Sequence, residues 1–162
     1  MNNKYILAKV ILTGFIFIQV TCMGQSGKTQ TKAFENFKFQ EQDITQIQQG
    51  YKDGRFTCKE LVQAYLDRIA AIDKNGPHLN SIIEINPDAI KIAEGLDREM
   101  KTGKSRGPLH GIPVLLKDNI DTHDKMFTTA GSRALKGSHP LQDSWVALKL
   151  REAGAIIIVL LE

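Results

Sequence analysis

Cysteine is scarce in this sequence: only Cys22 and Cys58 occur among its 162 residues. Two cysteines can form at most one disulfide, so the chain does not have the set of several bridges that stabilises many small exported domains. Cys58 falls in the first turn of a predicted helix, and no histidine lies near it in the sequence. Because reactive thiolates usually have a neighbouring base, we interpret Cys58 as a structural thiol rather than a nucleophile.

A large excess of charge is also absent. The chain has 21 basic and 18 acidic residues, and removal of the two lysines in residues 1–24 leaves 19 against 18, a net charge of +1. A nearly neutral protein offers no electrostatic reason to expect a nucleic acid as its partner. With 42% hydrophobic and 24% charged residues, the composition instead indicates a globular domain.

The sequence has no uninterrupted apolar run of the roughly 20 residues that a membrane-spanning helix needs. Its first apolar run, residues 10–20, contains three interruptions and follows Lys4 and Lys9. A basic segment followed by a short apolar one is typical of a signal sequence, so we predict that residues 1–24 direct export. Two interpretations stay open: a signal peptide cleaved just after the run, and a lipoprotein signal in which Cys22 carries the lipid. The predicted location is therefore periplasmic or extracellular, with membrane contact only through that lipid anchor.

Residues 25–42 are polar, and we predict that they form a tether to the domain, residues 43–162. The tether contains three large apolar residues that are expected to cover core surface: Phe34, Phe37 and Phe39. A short helix over residues 43–49, closed by Gly50, is predicted to open the domain.

Helices and strands then alternate along the domain. Residues 57–60 have the pattern of a capping box, and apolar residues at helical spacing continue from it to Ile72. Strands are predicted over residues 79–85, 112–116 and 155–161. Two further helices are predicted, one capped by Asn86 and ending at Gly103, the other over residues 144–152 with Trp145, Leu148 and Leu150 able to pack. This order predicts an α/β fold and leaves open whether the first two strands form a parallel crossover.

Lys117 directly follows the predicted strand 112–116, at the point where an apolar run ends. A lysine at this place is usually a surface residue, because burial of an unpaired ammonium costs several kcal/mol. An acidic, histidine-bearing cluster comes next: Asp118, Asp121, His123 and Asp124. The cluster lacks the ligand spacing of a calcium or zinc site, so we interpret it as a solvated turn.

Residues 107–121 read Gly-Pro-Leu-His-Gly-Ile-Pro-Val-Leu-Leu-Lys-Asp-Asn-Ile-Asp. Three further segments follow: Thr-Thr-Ala-Gly-Ser at 128–132, Asp-Ser at 143–144, and Leu-Arg-Glu-Ala-Gly-Ala-Ile-Ile-Ile at 150–158. In this order the four segments resemble the amidase signature family of serine hydrolases, and the first is similar to the lysine motif of that family. The resemblance implies a single α/β amidase domain with a sheet covered by helices, of which this chain supplies an incomplete, N-terminal portion.

The resemblance also implies a chemistry. Enzymes of this family use a Ser-Ser-Lys triad, and Lys117 matches the lysine. As a base, Lys117 has to be uncharged near neutral pH, and burial at the end of the apolar strand is expected to favour the uncharged amine. The implied reaction is hydrolysis of a small-molecule or peptide amide through an acyl-serine intermediate, whose oxyanion is held by backbone amides. This scheme uses no metal ion and no organic cofactor.

The sequence departs from the family at its end. In the family, a glycine-serine-rich segment with both catalytic serines lies beyond the equivalent of Ile158, and neither Ser132 nor Ser138 lies in such a segment. The family usually continues with Gly-Lys-Thr-Asn, whereas this chain has Val-Leu-Leu-Glu at 159–162. We therefore predict a truncated or frame-shifted product whose last strand has no partner.

Three functions follow from this resemblance. The chain is the N-terminal fragment of an exported amidase, or it is a catalytically inactive remnant without the triad serines. The third alternative is an amidotransferase A-type subunit that supplies ammonia for charging tRNA. The export-like start and the nearly neutral charge argue against the third.

Overall fold

The computed structural model describes residues 37–161. In chain order its elements are helix α1 (Ile44–Lys52), helix α2 (Cys58–Ile69), a π-helical turn (Ala70–Lys74), strand β1 (Ile82–Ile85), helix α3 (Ala89–Lys101), strand β2 (Pro113–Lys117), a 3₁₀ turn (Arg133–Leu135), helix α4 (Trp145–Glu152) and strand β3 (Ile156–Leu161). The predicted signal segment, Cys22, Phe34 and most of the tether lie outside the described residues. Within residues 37–161, no helix is both long enough and apolar enough to span a bilayer.

Helices α1 and α2 both begin with a capping box. Thr57 accepts a hydrogen bond from the Glu60 backbone amide at 3.1 Å, and Glu60 accepts one from the Thr57 amide at 2.9 Å. Asp43 and Gln46 make the same reciprocal pair at the start of α1, at 2.8 and 2.9 Å. These bonds satisfy amide groups that the first turn of a helix leaves without partners. The predicted capping box of α2 is confirmed.

The prediction that Gly50 ends α1 is wrong. The helix continues to Lys52, and Gly50 is buried inside it. A Cβ atom at this position would lie 2.3 Å from the Phe56 ring, so the glycine is needed for close packing rather than for a helix end. The chain reverses later, at Gly54, whose φ is +65°.

Asn86 was expected to cap α3, but the helix begins at Ala89 with Asp88 as its N-cap residue. The Asn86 side chain is buried; its amide donates to the Ile157 carbonyl at 2.8 Å, and its oxygen accepts from the Asp88 amide at 2.9 Å. It therefore fastens the turn before α3 to strand β3. Strand β1 is also shorter than predicted, since it begins at Ile82.

Strand β3 lies in the centre of a three-stranded sheet of order β1-β3-β2. It pairs antiparallel with β1 and parallel with β2. The prediction that this last strand lacks a partner is therefore wrong. The parallel crossover of the sheet is β2-α4-β3, because β1 and β2 are not neighbours.

Both faces of β3 are covered by helices. Ile156 and Ile158 pack in a core cluster with residues of α2 and α3, whereas Ile157 packs in a cluster with Ala147 of α4. The alternation follows from the pleat of a strand, in which successive side chains point to opposite faces. The predicted α/β fold, a sheet covered by helices, is confirmed in a partial form.

A third core cluster joins the start of the described chain to α1 and α2. Phe39 is buried and lies edge-on to Phe56 with the ring centroids 4.8 Å apart, and Phe37 packs against the same cluster. The prediction for these two phenylalanines is confirmed. In helix α4, Leu150 packs against a core cluster as predicted, whereas Trp145 and Leu148 are 73% and 43% exposed. The buried residue of the helix is Ala147.

Candidate active site

His110 fixes the approach of the chain to β2. It is fully buried; its Nδ1 atom accepts from the Arg106 amide at 3.2 Å, and its Nε2 atom lies 3.1 Å from the Leu96 carbonyl. A backbone N–H can only donate and a carbonyl can only accept, so this pair of partners selects the neutral ring with its proton on Nε2. Both ring nitrogens are occupied, and His110 is a structural residue of the motif.

Gly111 lies next to it in a left-handed conformation, with φ at +79°. A Cβ atom here would lie 2.2 Å from Cys58 Sγ, and the Gly111 carbonyl accepts from the Tyr51 hydroxyl at 2.7 Å. Burial, followed by the nearby Asp97 carboxylate, raises the pKa of the Cys58 thiol to about 12. The thiol is therefore protonated at neutral pH, and the structural interpretation of Cys58 is supported.

Lys117 is the last residue of β2, and its side chain is exposed, whereas Leu116 and Asp118 on either side are buried. Within residues 37–161, its ammonium makes no hydrogen bond or ion pair. This exposure agrees with the interpretation of a lysine at a strand end as a surface residue. The burial that the triad role implies is not present within residues 37–161. Among residues 37–161, Lys117 lies at the end of an edge strand whose one neighbouring strand is β3.

A cleft of about 240 Å³ opens beside Lys117. Its wall also includes Ala130 and Gly131 from the segment 128–132, and the exposed Ile83 from β1. The fold thus brings together two of the segments that the sequence singled out separately. Ile83 was not predicted to contribute, because its place in the cleft depends on the order of the strands.

Asp118 organises the connection between Lys117 and this wall. It is 2% exposed, and its carboxylate accepts hydrogen bonds from the backbone amide and the hydroxyl of Thr129, the former at 2.9 Å. Its own backbone carbonyl accepts from the Ala130 amide at 3.0 Å. The interpretation of Asp118 as part of a solvated turn is wrong, since a carboxylate is buried only where donors satisfy it.

The other acids after Lys117 hold the long connection to α4. Arg151 donates to Asp124 at 2.6 Å and to Asp143 at 3.0 Å, and Asp143 accepts from the His123 amide at 2.7 Å. Asp121 is exposed, and its carbonyl accepts from the Ser144 amide at 2.9 Å. Over residues 37–161, no group of three or more His, Cys, Asp or Glu side chains is arranged to hold a metal ion.

No serine of residues 37–161 is among the residues that line the cleft. Ser144 caps α4, Ser132 donates its backbone amide to Thr129, and the Ser138 carbonyl accepts from the Thr128 amide. Within the described range, no serine hydroxyl is hydrogen-bonded to Lys117. Among residues 37–161, the cleft is therefore lined by a lysine and a backbone wall but by no serine.

A family model described as Amidase matches residues 60–161. A putative amidase of Schizosaccharomyces pombe is 45% identical over 123 residues, which are 76% of this chain and 21% of that protein. A probable amidase of Arabidopsis thaliana is 43% identical over 88% of this chain and 28% of its own length. The A-type subunit of the glutamyl-tRNA(Gln) amidotransferase of Alkaliphilus metalliredigens is 38% identical over 75% of this chain and 24% of its own length.

A solved structure shows the same fold. The native peptide amidase from Stenotrophomonas maltophilia superimposes with a TM-score of 0.76 at 46% sequence identity. The match covers 78% of this chain and 26% of that protein. In all four comparisons, the chain spans roughly a fifth to slightly more than a quarter of the length of its relative.

Proposed function

This chain belongs to the amidase family, and on that basis we propose that it forms the N-terminal part of an exported amidase that hydrolyses carboxylic or peptide amides. The observation that supports the proposal best is the cleft at the end of β2. Lys117 lies in it together with Ala130 and Gly131 of the segment 128–132. A basic side chain beside a backbone wall suits a reaction in which a proton is removed from a nucleophile.

In the proposed reaction, the neutral Lys117 amine accepts a proton, through a bridging serine, from a nucleophilic serine. The serine oxygen forms a bond to the amide carbonyl carbon, the carbon–nitrogen bond breaks, and the leaving nitrogen takes the proton and departs as ammonia or an amine. Water then cleaves the acyl-serine ester, which releases the carboxylic acid and restores the serine. Both serines belong, in this proposal, to the glycine-serine-rich segment of a complete amidase domain.

A neutral lysine requires that its amine be removed from water. Because Lys117 is exposed among residues 37–161, the proposal includes a further part of the domain that covers the cleft. In the proposal, this further part of the domain both brings the bridging serine next to the Lys117 amine and removes water from the amine. The short apolar β2 contributes by holding the Lys117 backbone in register with Leu161 of β3.

Two alternatives predict different results. The amidotransferase alternative is less favoured, because the identity to the two amidases, 45% and 43%, exceeds the 38% to the amidotransferase relative. A catalytically inactive remnant predicts that the purified 162-residue chain releases no ammonia from an amide. Robust hydrolysis by that chain would exclude the remnant, and it would also contradict the proposal that both serines lie in another part of the domain. Co-purification with a tRNA-binding partner would support the amidotransferase alternative.

The proposal is tested in a full-length amidase that carries this chain as its N-terminal part. The substrate is a C-terminally amidated dipeptide, and the release of ammonia is measured. Lys117→Ala is expected to lower kcat by about 10² to 10⁴, the range for loss of a general base. Lys125→Ala is the matched control, since Lys125 is exposed and its ion pair among residues 37–161 is with Asp88 at the surface. If Lys117→Ala is as active as Lys125→Ala, Lys117 is not the base.

Export is tested on the N-terminus of the protein purified from the cells that produce it. Mass spectrometry is expected to find either cleavage within residues 20–25 or a lipid-modified Cys22 at the new terminus. A protein that keeps Met1 and stays inside the cell would contradict export. The two expected results also separate a secreted amidase from a lipid-anchored one.

A further inference from the structure

Asp118 contacts a different part of the chain from the other acidic residues after Lys117. Its carboxylate accepts two hydrogen bonds, both from Thr129, and its backbone amide donates to the Leu161 carbonyl at 2.9 Å. One residue thus joins the end of β3 to the segment that forms the far wall of the cleft. The bonds link positions 11 residues apart in the sequence, so they restrain a loop that is otherwise long.

The wall itself has an uncommon backbone conformation. Ala130 has φ at +48° and Gly131 has φ at +73°, so two successive residues are left-handed. Residues other than glycine seldom adopt positive φ, and they keep it only where surrounding contacts impose it. The Ala130 amide donates to the Asp118 carbonyl, and the Gly131 amide lies 3.3 Å from the Thr129 hydroxyl. The contacts that impose the conformation therefore come from Asp118 and Thr129.

We propose that Asp118 is a positioning residue that acts through Thr129: it holds Ala130 and Gly131 against the cleft at a set distance from Lys117. This inference rests on the proposed amidase function for its catalytic consequence, but its structural consequence stands without it. Asp118 touches no reacting atom in this scheme. Its contribution is to keep one wall of the cleft in place while Lys117, on the adjacent residue, keeps its own position at the end of β2.

Amide hydrogen exchange tests the structural part in the 162-residue chain. In Asp118→Ala, exchange is expected to rise about tenfold or more at both Thr129 and Ala130, with no change at Ile157 in the sheet. The Ala130 amide is the diagnostic one, because its acceptor is the backbone carbonyl of residue 118, which the substitution retains. Its exchange rises only if the wall itself moves. Unchanged exchange at Ala130 would overturn the proposal, whatever the activity.

Two variants at position 129 keep the proposal testable if Asp118→Ala fails to fold. Thr129→Val removes the hydroxyl and keeps the shape of the side chain, whereas Thr129→Ser keeps the hydroxyl. Faster exchange at Ala130 is expected in the valine variant and not in the serine variant. Equal exchange in the two variants would mean that the hydroxyl does not hold the wall, and the route through Thr129 would be refuted.

The catalytic part is tested in the full-length amidase with the C-terminally amidated dipeptide. Thr129→Val is expected to lower kcat about tenfold with a smaller effect on KM, and Thr129→Ser is expected to restore most of kcat. Faster exchange at Ala130 without any loss of kcat would overturn the positioning role. If the unmodified protein releases no ammonia, the amidase proposal fails, and the exchange of Ala130 alone decides whether Asp118 holds the wall.

Discussion

Replacement of Gly111 by alanine is expected to destabilise the domain through two separate effects. The first is the backbone: φ at +79° costs a non-glycine residue about 1 to 2 kcal/mol. The second is steric: the new Cβ would lie 2.2 Å from Cys58 Sγ and 3.1 Å from Tyr51 Cε2. Relief of such a contact in a packed core typically costs about 1 to 3 kcal/mol. We therefore expect a loss of about 2 to 5 kcal/mol in the free energy of unfolding.

Gly137→Ala is the matched control for the backbone effect. Gly137 has φ at +85°, but a Cβ atom there would meet nothing within 4 Å. The variant is expected to lose only the conformational part, about 1 to 2 kcal/mol. The difference between the two variants isolates the contact with Cys58 and Tyr51.

Urea unfolding followed by far-UV circular dichroism measures both variants. Fluorescence is a poor probe here, because the single tryptophan, Trp145, is already 73% exposed in the folded chain. The double variant Gly111→Ala/Cys58→Ala is expected to lose about 1 kcal/mol less free energy of unfolding than the sum of the two single variants, because it lacks Cys58 Sγ, the atom nearest to the new Cβ. If Gly111→Ala is no more destabilising than Gly137→Ala, the packing argument is refuted.

Two further predictions concern titration. Burial alone would raise the pKa of Asp73, but hydrogen bonds from Ser81, Lys74 and the Ile82 amide outweigh it and lower the pKa to about 2. A depressed carboxyl pKa stabilises the fold above the unfolded-state value of about 3.9, and this contribution is lost as the pH falls toward 2. As the pH falls from about 3.9 to 2, the urea midpoint of unfolding should fall in the unmodified chain and fall less in Asp73→Asn. An equal fall of the midpoint in both proteins would contradict the lowered pKa of Asp73. Because its pKa is raised to about 12, Cys58 should resist iodoacetamide at about pH 8 in the folded chain and react after denaturation, as peptide mass spectrometry can show. Rapid labelling of the folded chain would contradict this.

Local signals predicted most of the elements correctly. The capping box at Thr57 and Glu60 marked the start of α2, since both partners of the box lie within one helical turn. The apolar runs before Lys117 and after Gly154 marked the strands β2 and β3. The errors at Gly50 and Asn86 have one cause: glycine and asparagine often end or begin helices, but here Phe56 and Ile157, which lie outside those helices, decide their roles.

The family was predictable from the sequence alone, because the matching segments are recognised by the types and the order of their residues. The sequence alone also identified Lys117 as the candidate catalytic lysine, because residues 107–121 resemble the lysine motif of the family. The assignment of its chemistry stays a proposal. The exposure of Lys117 in the described chain agrees with the usual place of a lysine at a strand end, since β2 is an edge strand among residues 37–161.

The sequence by itself determined the order of the main helices and strands and the family, because capping, periodicity and motif order act over a few residues. Only the tertiary structure decided the place of β3 at the centre of the sheet, since strand order depends on which apolar faces pack together and not on any local pattern. It also decided that Asp118 is buried, although the adjacent Lys117 is exposed. The donors that make burial of Asp118 favourable come from Thr129, and only folding brings them there.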